Sequence, residues 1–297
     1  ANNPDARLTE QIMAALYLNH PYGRPVIGWR HEIEKLTRKD ALAFYKRFYA
    51  PNNATLVIAG DVDAQKIRPE IEKTFGQVPP QPAIPPVRIR PQEPLPVASR
   101  TVTLADPRVE QPMLRRYYLV PAATTAATGE SPALDVLARL MGEGSNAYLY
   151  RALVVDKPLA VNTNASYQGT MVDPTQFTIA VAPKPGVSFA AVEQAIDGVI
   201  AHLAANPVPA EDLERVKTQL IAQAVYAQDS QTTLARWYGA GMTVGLSVDE
   251  IRTWPDRIRA VTAAQVREAA QRWLVKTRSV TGYLIKDTTP AHEEKRS

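Results

Sequence analysis

Eight prolines crowd the eighteen residues PPQPAIPPVRIRPQEPLP, Pro79 to Pro96. Proline has no N–H to give to a ladder and its ring fixes φ. Such a run cannot join a central sheet and extends as a semi-rigid spacer. The chain therefore divides into a short first part, residues 1–78, a spacer, residues 79–98, and a longer second part, residues 99–297. A length of 297 residues allows about two domains, each with its own core.

The two parts carry one pattern twice. Trp29, Ile33, Thr37 and Arg47 recur 225 positions later as Trp254, Ile258, Thr262 and Arg272, with Phe48 answered by Trp273. TRKDALAFYKRFY and TAAQVREAAQRWL each open on a threonine N-cap with Asp40 or Gln265 three residues on. Apolar residues then fall at matching helical positions: Ala41, Phe44, Tyr45 and Phe48 against Val266, Ala269, Ala270 and Trp273. A short strand is expected after each, TLVIAGD ending at Asp61 and VTGYLIKD ending at Asp287. The pattern predicts a duplicated helix–strand unit.

Within the second part, RTVTLAD and MLRRYYLVPA alternate as strands do, and AVNTNASYQG followed by TQFTIAVAP reads as an antiparallel pair. SPALDVLARLMG, SNAYLYRALVV, SFAAVEQAIDGVIAHLAAN and PAEDLERVKTQLIAQAVYAQ read as helices. Strands, then a run of helices, then another strand favour an α+β layer with helices on one sheet face. At the other end, Asn3-Pro4-Asp5 is a helix start, and Leu8, Ile12 and Leu16 form an apolar stripe behind it. The chain thus begins directly on a structural element, as a fragment would.

Composition removes several classes of function. The net charge of +4 is thinly spread, and its densest spots (RKD, RIR, LRRYY) are short and interrupted, unlike a nucleic-acid surface. With no cysteine there can be no thiolate zinc site, disulfide or cysteine nucleophile, and the redox compartment stays open. No apolar run approaches the ~18 residues of a membrane span. The opening ANNPDARLTEQ is polar rather than a signal peptide. There is no Gly-x-Ser-x-Gly elbow, Walker loop or Rossmann fingerprint.

One short stretch, WRHEIEKLTRKD, approaches a metal motif. His31 and Glu34 stand at the spacing of His-x-x-Glu-His, but Lys35 occupies the place of the second histidine. Their counterparts in the second copy are Asp256 and Arg259, so the pair reads as the polar approach to a helix. His20, His202 and His292 show no carboxylate at ligand spacing and read as structural or solvated. No catalytic or metal-ligating residue is assigned to this chain.

The runs YLNHPYGRPVIGW and FYKRFYAPNNATLVIAGDVDAQKI resemble the pitrilysin/insulinase family of zinc metallopeptidases, as does MGEGSNAYLYRALVVDKPLAV in the second part. The resemblance covers nearly the whole chain. It implies a clamshell of two homologous α+β domains, each a mainly antiparallel sheet with helices on one face, the first one incomplete here. Residues 1–78 would be the end of the catalytic-type domain and residues 99–297 the second, inactive one. The family's His-x-x-Glu-His and its third glutamate ligand would lie upstream of Ala1, so zinc belongs to the intact protein and not to this chain. As supplied, the chain should neither bind catalytic zinc nor cleave peptides, while its second domain helps form a chamber for an extended peptide or unfolded protein. The GEGSN turn takes a structural role, and Tyr22 and Arg24 in the first run are candidate substrate-binding residues.

The resemblance also exposes a departure. Family members often carry an arginine and a tyrosine in the frame Leu-Arg-(four residues)-Leu-x-Tyr, reaching across the clamshell to the substrate backbone and the developing oxyanion. Here LVVDKPLAV puts Val154 and Val161 in those places, and valine can do neither job. Arg151, one helical turn earlier and on nearly the same face, is a candidate substitute for substrate binding. The double loss points to a parent protein that is the zinc-bearing half of a two-subunit protease, its sister subunit supplying the pair. The alternative is a non-catalytic paralogue that holds peptides or acts as a scaffold. Relatives of this bacterial kind are often exported, which favours the periplasm over the cytoplasm. Half a domain would also leave an open sheet edge and an uncovered apolar face, so the first ninety residues should be less stable than the second part unless a partner or a second copy covers them.

Overall fold

The computed structural model describes residues 3–84 and 90–287. Helices α1 (Pro4–Leu16), α2 (Arg30–Ile33), α3 (Arg38–Phe48) and α4 (Ala64–Thr74) precede the proline-rich stretch. After it come β1 (Arg100–Asp106), β2 (Met113–Val120), α5 (Glu130–Gly142), α6 (Tyr148–Tyr150), β3 (Ala160–Tyr167) and β4 (Thr175–Pro183). Helices α7 (Phe189–Ala205), α8 (Ala210–Ala227), α9 (Gln231–Val244), α10 (Val248–Arg252), α11 (Trp254–Arg259) and α12 (Ala263–Trp273) lead to β5 (Ser279–Lys286). The sheet runs β1-β5-β2-β4-β3, and only β1 with β5 is parallel. The last strand in sequence therefore lies second in space and ties the end of the second part to its beginning.

Strand alternation sorts the sheet into two faces. Leu114, Tyr118 and Val120 of β2 join Phe177, Ile179 and Val181 of β4 beneath the helical layer of α5, α7 and α12. Tyr117 and Leu119 point the other way, with Val280 and Leu284 of β5, and meet Leu8, Ile12 and Leu16 of α1. Those three α1 side chains are wholly buried. The second part's own helices thus cover one face of the sheet, as expected, and the other face is covered by α1 from the first part of the chain. The Asn3 side chain caps α1 by accepting from the N–H groups of Asp5 and Ala6. Ion pairs Arg7–Asp106 and Arg115–Asp5, at 2.9 and 2.8 Å, then fasten it to the sheet.

The two copies of the helix–strand unit share their local chemistry. Thr37 and Asp40 form a reciprocal capping box on α3, as Thr262 and Gln265 do on α12. The Arg47 guanidinium lies 5.1 Å from the Phe48 ring centroid, and that of Arg272 lies 5.1 Å from Trp273. Their tertiary fates differ. Val266, Ala269 and Ala270 of α12 are buried against α5 and α7, whereas Phe44 and Tyr45 of α3 are 59% and 58% exposed. The strand expected at TLVIAGD does not form: residues 54–59 run without a ladder, although VTGYLIKD pairs on both sides as β5. A strand needs partners for its N–H and C=O groups, and no strand lies beside this segment among the described residues. Leu56 to Ala59 instead lie along Leu234, Tyr238 and Met242 of α9.

Candidate functional site

The second part's Gly-rich turn is set by packing. Helix α5 ends at Gly142, where a β-carbon would collide with the backbone of Ala165 on β3, so only glycine allows this approach. Gly144 then takes φ +87° to turn the chain into α6. From Arg151 to Asp156 the helix widens to a π-helical turn, closed by the Lys157 N–H donating to the Ala152 carbonyl at 3.2 Å. This winding separates two residues expected on one face. Arg151 is exposed, while Val154 turns inward against the main core. Val161 sits 48% exposed on the edge strand β3.

Arg151 faces a cavity of about 600 Å³ between this turn, α7 and the start of α8. Tyr148, His202 and Asp212 share its wall. The Tyr148 hydroxyl donates to Asp212 at 3.1 Å, and Arg215 holds the other oxygen of that carboxylate at 2.6 Å. Burial and the neighbouring carboxylate push the Tyr148 hydroxyl up to about 12, so it stays protonated and can only share its proton. The cavity thus offers one exposed guanidinium beside a fixed tyrosine–aspartate pair. It can hold a polar or anionic group, and nothing in it forms an activated nucleophile.

Tyr22 and Arg24 lie elsewhere. Tyr22 packs on the α1 side of the sheet, and its hydroxyl accepts from the Val172 N–H at 3.2 Å. Its ring meets Tyr17 and His20 at centroid distances of 5.8 and 4.3 Å. Arg24 is exposed and pairs with Glu32, which also caps α2 at the Trp29 N–H. The fold does not bring these residues to Arg151, because the sheet stands between them.

Around Tyr22 the fold builds a junction that sequence spacing could not reveal. His20, read as lacking a carboxylate, has one: its Nε2 is 3.1 Å from Asp173, and both residues are buried. The Tyr22 N–H donates to His20 Nδ1 at 3.1 Å, leaving Nε2 to carry the proton toward Asp173. Arg90 approaches Asp173 at 3.3 Å, and the Glu93 carboxylate accepts from the N–H groups of Leu18, Asn19 and His20 at 2.7–2.9 Å. The junction binds the first part, the end of the proline-rich stretch and the β3–β4 loop together.

His31 is exposed on α2, and Glu34 takes the Arg30 guanidinium at 2.7 Å. Among the described residues no three His, Cys, Asp or Glu side chains are grouped to hold a metal, and His292 lies outside them. Nor is any helix among them long and apolar enough to cross a membrane.

Comparison with known proteins places this architecture. The chain is 25% identical over 285 residues to the zinc protease PqqE of Helicobacter pylori, covering 95% of this chain and 63% of that protein. It is 26% identical over 302 residues to the uncharacterized zinc protease ML0855 of Mycobacterium leprae, covering 97% of this chain and 64% of that protein. The chain therefore spans less than two thirds of these relatives' length. The crystal structure of a protease from Helicobacter pylori superimposes with a TM-score of 0.87 at 22% identity, covering 96% of this chain and 67% of that one. A peptidase M16 inactive domain from Pseudomonas fluorescens superimposes with a TM-score of 0.81 at 19% identity, covering 96% and 66%. The family model for the peptidase M16 inactive domain matches residues 35–220, well over half of the 297 residues, and the chain belongs to that family.

Proposed function

We propose that this chain is the larger part of a zinc-endopeptidase subunit of the M16 kind. Residues 1–78 end a catalytic-type domain, residues 79–98 link, and residues 99–297 form the inactive domain that walls a peptide chamber. One observation carries this reading: the same helix is buried at α12 and bare at α3. A repeat with identical caps and opposite burial is a repeat whose first copy lacks its covering layer. The relatives' name, zinc protease, supports zinc in the longer protein. Within this chain the donor set does not suit zinc, since Lys35 replaces the second histidine and Glu34 is committed to Arg30. No catalytic step is assigned to it.

In the chamber Arg151 is the group placed to hold a peptide's carbonyl or carboxylate. Val154 and Val161 stand where the family's frame has its arginine and tyrosine, so a homologous sister subunit would supply that pair. The same two valines favour a second reading, a non-catalytic paralogue that holds peptides. Zinc content and peptidase activity of the full-length gene product, alone and mixed with its sister subunit, separate the two. About one zinc per chain with activity only in the mixture supports the first. Full activity of the isolated monomer removes the sister subunit, and absence of zinc from the long form leaves the scaffold.

A further inference from the structure

A second cavity, of about 340 Å³, lies away from Arg151 among α5, α8, α9, α10, α11 and the β3–β4 turn. That volume suits a small ligand. On its wall stands Asp135 of α5, whose carboxylate takes one hydrogen bond among the described residues, from Trp254 Nε1 at 3.1 Å. Arg257, the basic residue on the same wall, gives one guanidinium N–H to the backbone carbonyl of Glu250 and makes no ion pair with Asp135, although its buried Nε has no partner among the described residues. Burial pushes the Asp135 carboxyl up to about 7, the Trp254 bond and the more distant Arg257 charge offsetting this only in part. Trp237 and Trp254 line the cavity edge-to-face, their centroids 6.2 Å apart at 85°. Of the two acidic residues on the wall, Glu250 caps α10 by accepting from the Ser247 N–H and hydroxyl, which leaves Asp135 as the carboxylate without such a commitment.

We propose that this cleft binds an organic cation, a primary ammonium or a guanidinium, between the Asp135 carboxylate and the indoles of Trp237 and Trp254. A half-buried carboxylate with a single neutral donor gains from a positive charge placed beside it, and an indole face attracts the same charge. The cation can be a basic side chain of a peptide or a free amine. The site uses only this chain's residues and does not depend on zinc or on peptidase activity.

Isothermal titration of the whole chain at pH 8, where Asp135 is ionised, tests it with four probes: Nα-acetyl-lysine amide, Nα-acetyl-arginine amide, putrescine and the neutral Nα-acetyl-norleucine amide. The cations should bind saturably and the norleucine amide should not. Asp135→Asn keeps an acceptor for Trp254 and should bind at least about tenfold more weakly, as loss of a charge-assisted contact requires. Trp237→Leu, which leaves the carboxylate in place, should weaken binding about three- to tenfold through the lost cation–π contact. Preference for the amides marks peptide side chains as the source, and preference for putrescine marks free amines. Equal binding by norleucine amide, unchanged binding in both variants, or no saturable binding by any cation overturns the proposal.

Discussion

Gly282 of β5 lies directly beneath Ile12 of α1, so close that a β-carbon at 282 would overlap the isoleucine's Cδ1. The contact joins residues from opposite ends of the chain and sets the height of α1 above the sheet. Gly282→Ala should force α1 outward and cost about 1–3 kcal/mol, as overpacking of a filled core does. Ile12→Val, placed in the same chain, should recover part of that loss. Urea unfolding of the two single variants and the double variant measures it; strictly additive effects would mean that the two side chains do not meet.

Arg116 is buried to the last atom on the helical face of the sheet. It bonds Glu193 at 2.6 Å, Thr281 at 3.2 Å and Asp197, which also takes Lys276 at 2.9 Å. Arg116→Met should cost about 3 kcal/mol at pH 7, because two carboxylates lose their main partner while keeping some solvent and one lysine. Although burial alone would raise Asp197, bonds from Lys276 and Arg116 outweigh it and hold the carboxyl below its usual range. Its stabilising contribution is therefore present above the ordinary aspartate value and lost as pH falls through the lowered one. Unfolding curves of the two proteins should converge under acid. A gap that stayed constant to pH 3 would remove the carboxylates from the explanation.

Asp135 gives the opposite sign. Its carboxyl is raised from 3.8 to about 7, so the folded chain prefers it protonated. That preference stabilises the fold below about pH 4 and is lost as pH rises through 7. Relative to Asp135→Asn, the wild type should lose about 1.4 kcal/mol per pH unit across that window. Thermal melts at pH 4, 6 and 8 should show the variant gaining on the wild type, and parallel profiles would disprove the assignment.

Hydrogen exchange should divide the first ninety residues. Helix α1 is built into the core and should exchange with β2 and β5. Helix α3, with its bare aromatic face, should exchange at least about tenfold faster than α12 despite the shared cap and shared cation–π pair. Equal protection of α3 and α12 in a monomer would mean that another surface covers the first copy.

These differences mark what the sequence could carry. The five strands of the sheet, the caps at Thr37 and Thr262 and the apolar stripe of α1 are local patterns, and all were legible. TLVIAGD has the same local pattern as VTGYLIKD, but strand formation depends on neighbours that a linear pattern does not contain. Arg151 and Val154 have the spacing of one helix face, and the π-helical turn, which spacing does not reveal, parts them. His20 with Asp173 and Trp254 with Asp135 are 153 and 119 residues apart, so neither pair leaves a local signature. The chemistry of the candidate sites rests on such pairs, while the fold rests mostly on periodicity.

Helix α1 belongs to the first part in sequence and to the second in space, with the proline-rich stretch as the covalent return path. Cutting that stretch would therefore leave the pieces joined: the shorter one would stay docked through Leu8, Ile12 and Leu16. A protease nick there would register on a denaturing gel and be silent in gel filtration. A chain built in this way owes the placement of its two parts to a helix lodged under a sheet and to the Arg90 and Glu93 contacts at the far end of the spacer, so the covalent connection upstream of those residues adds little to it.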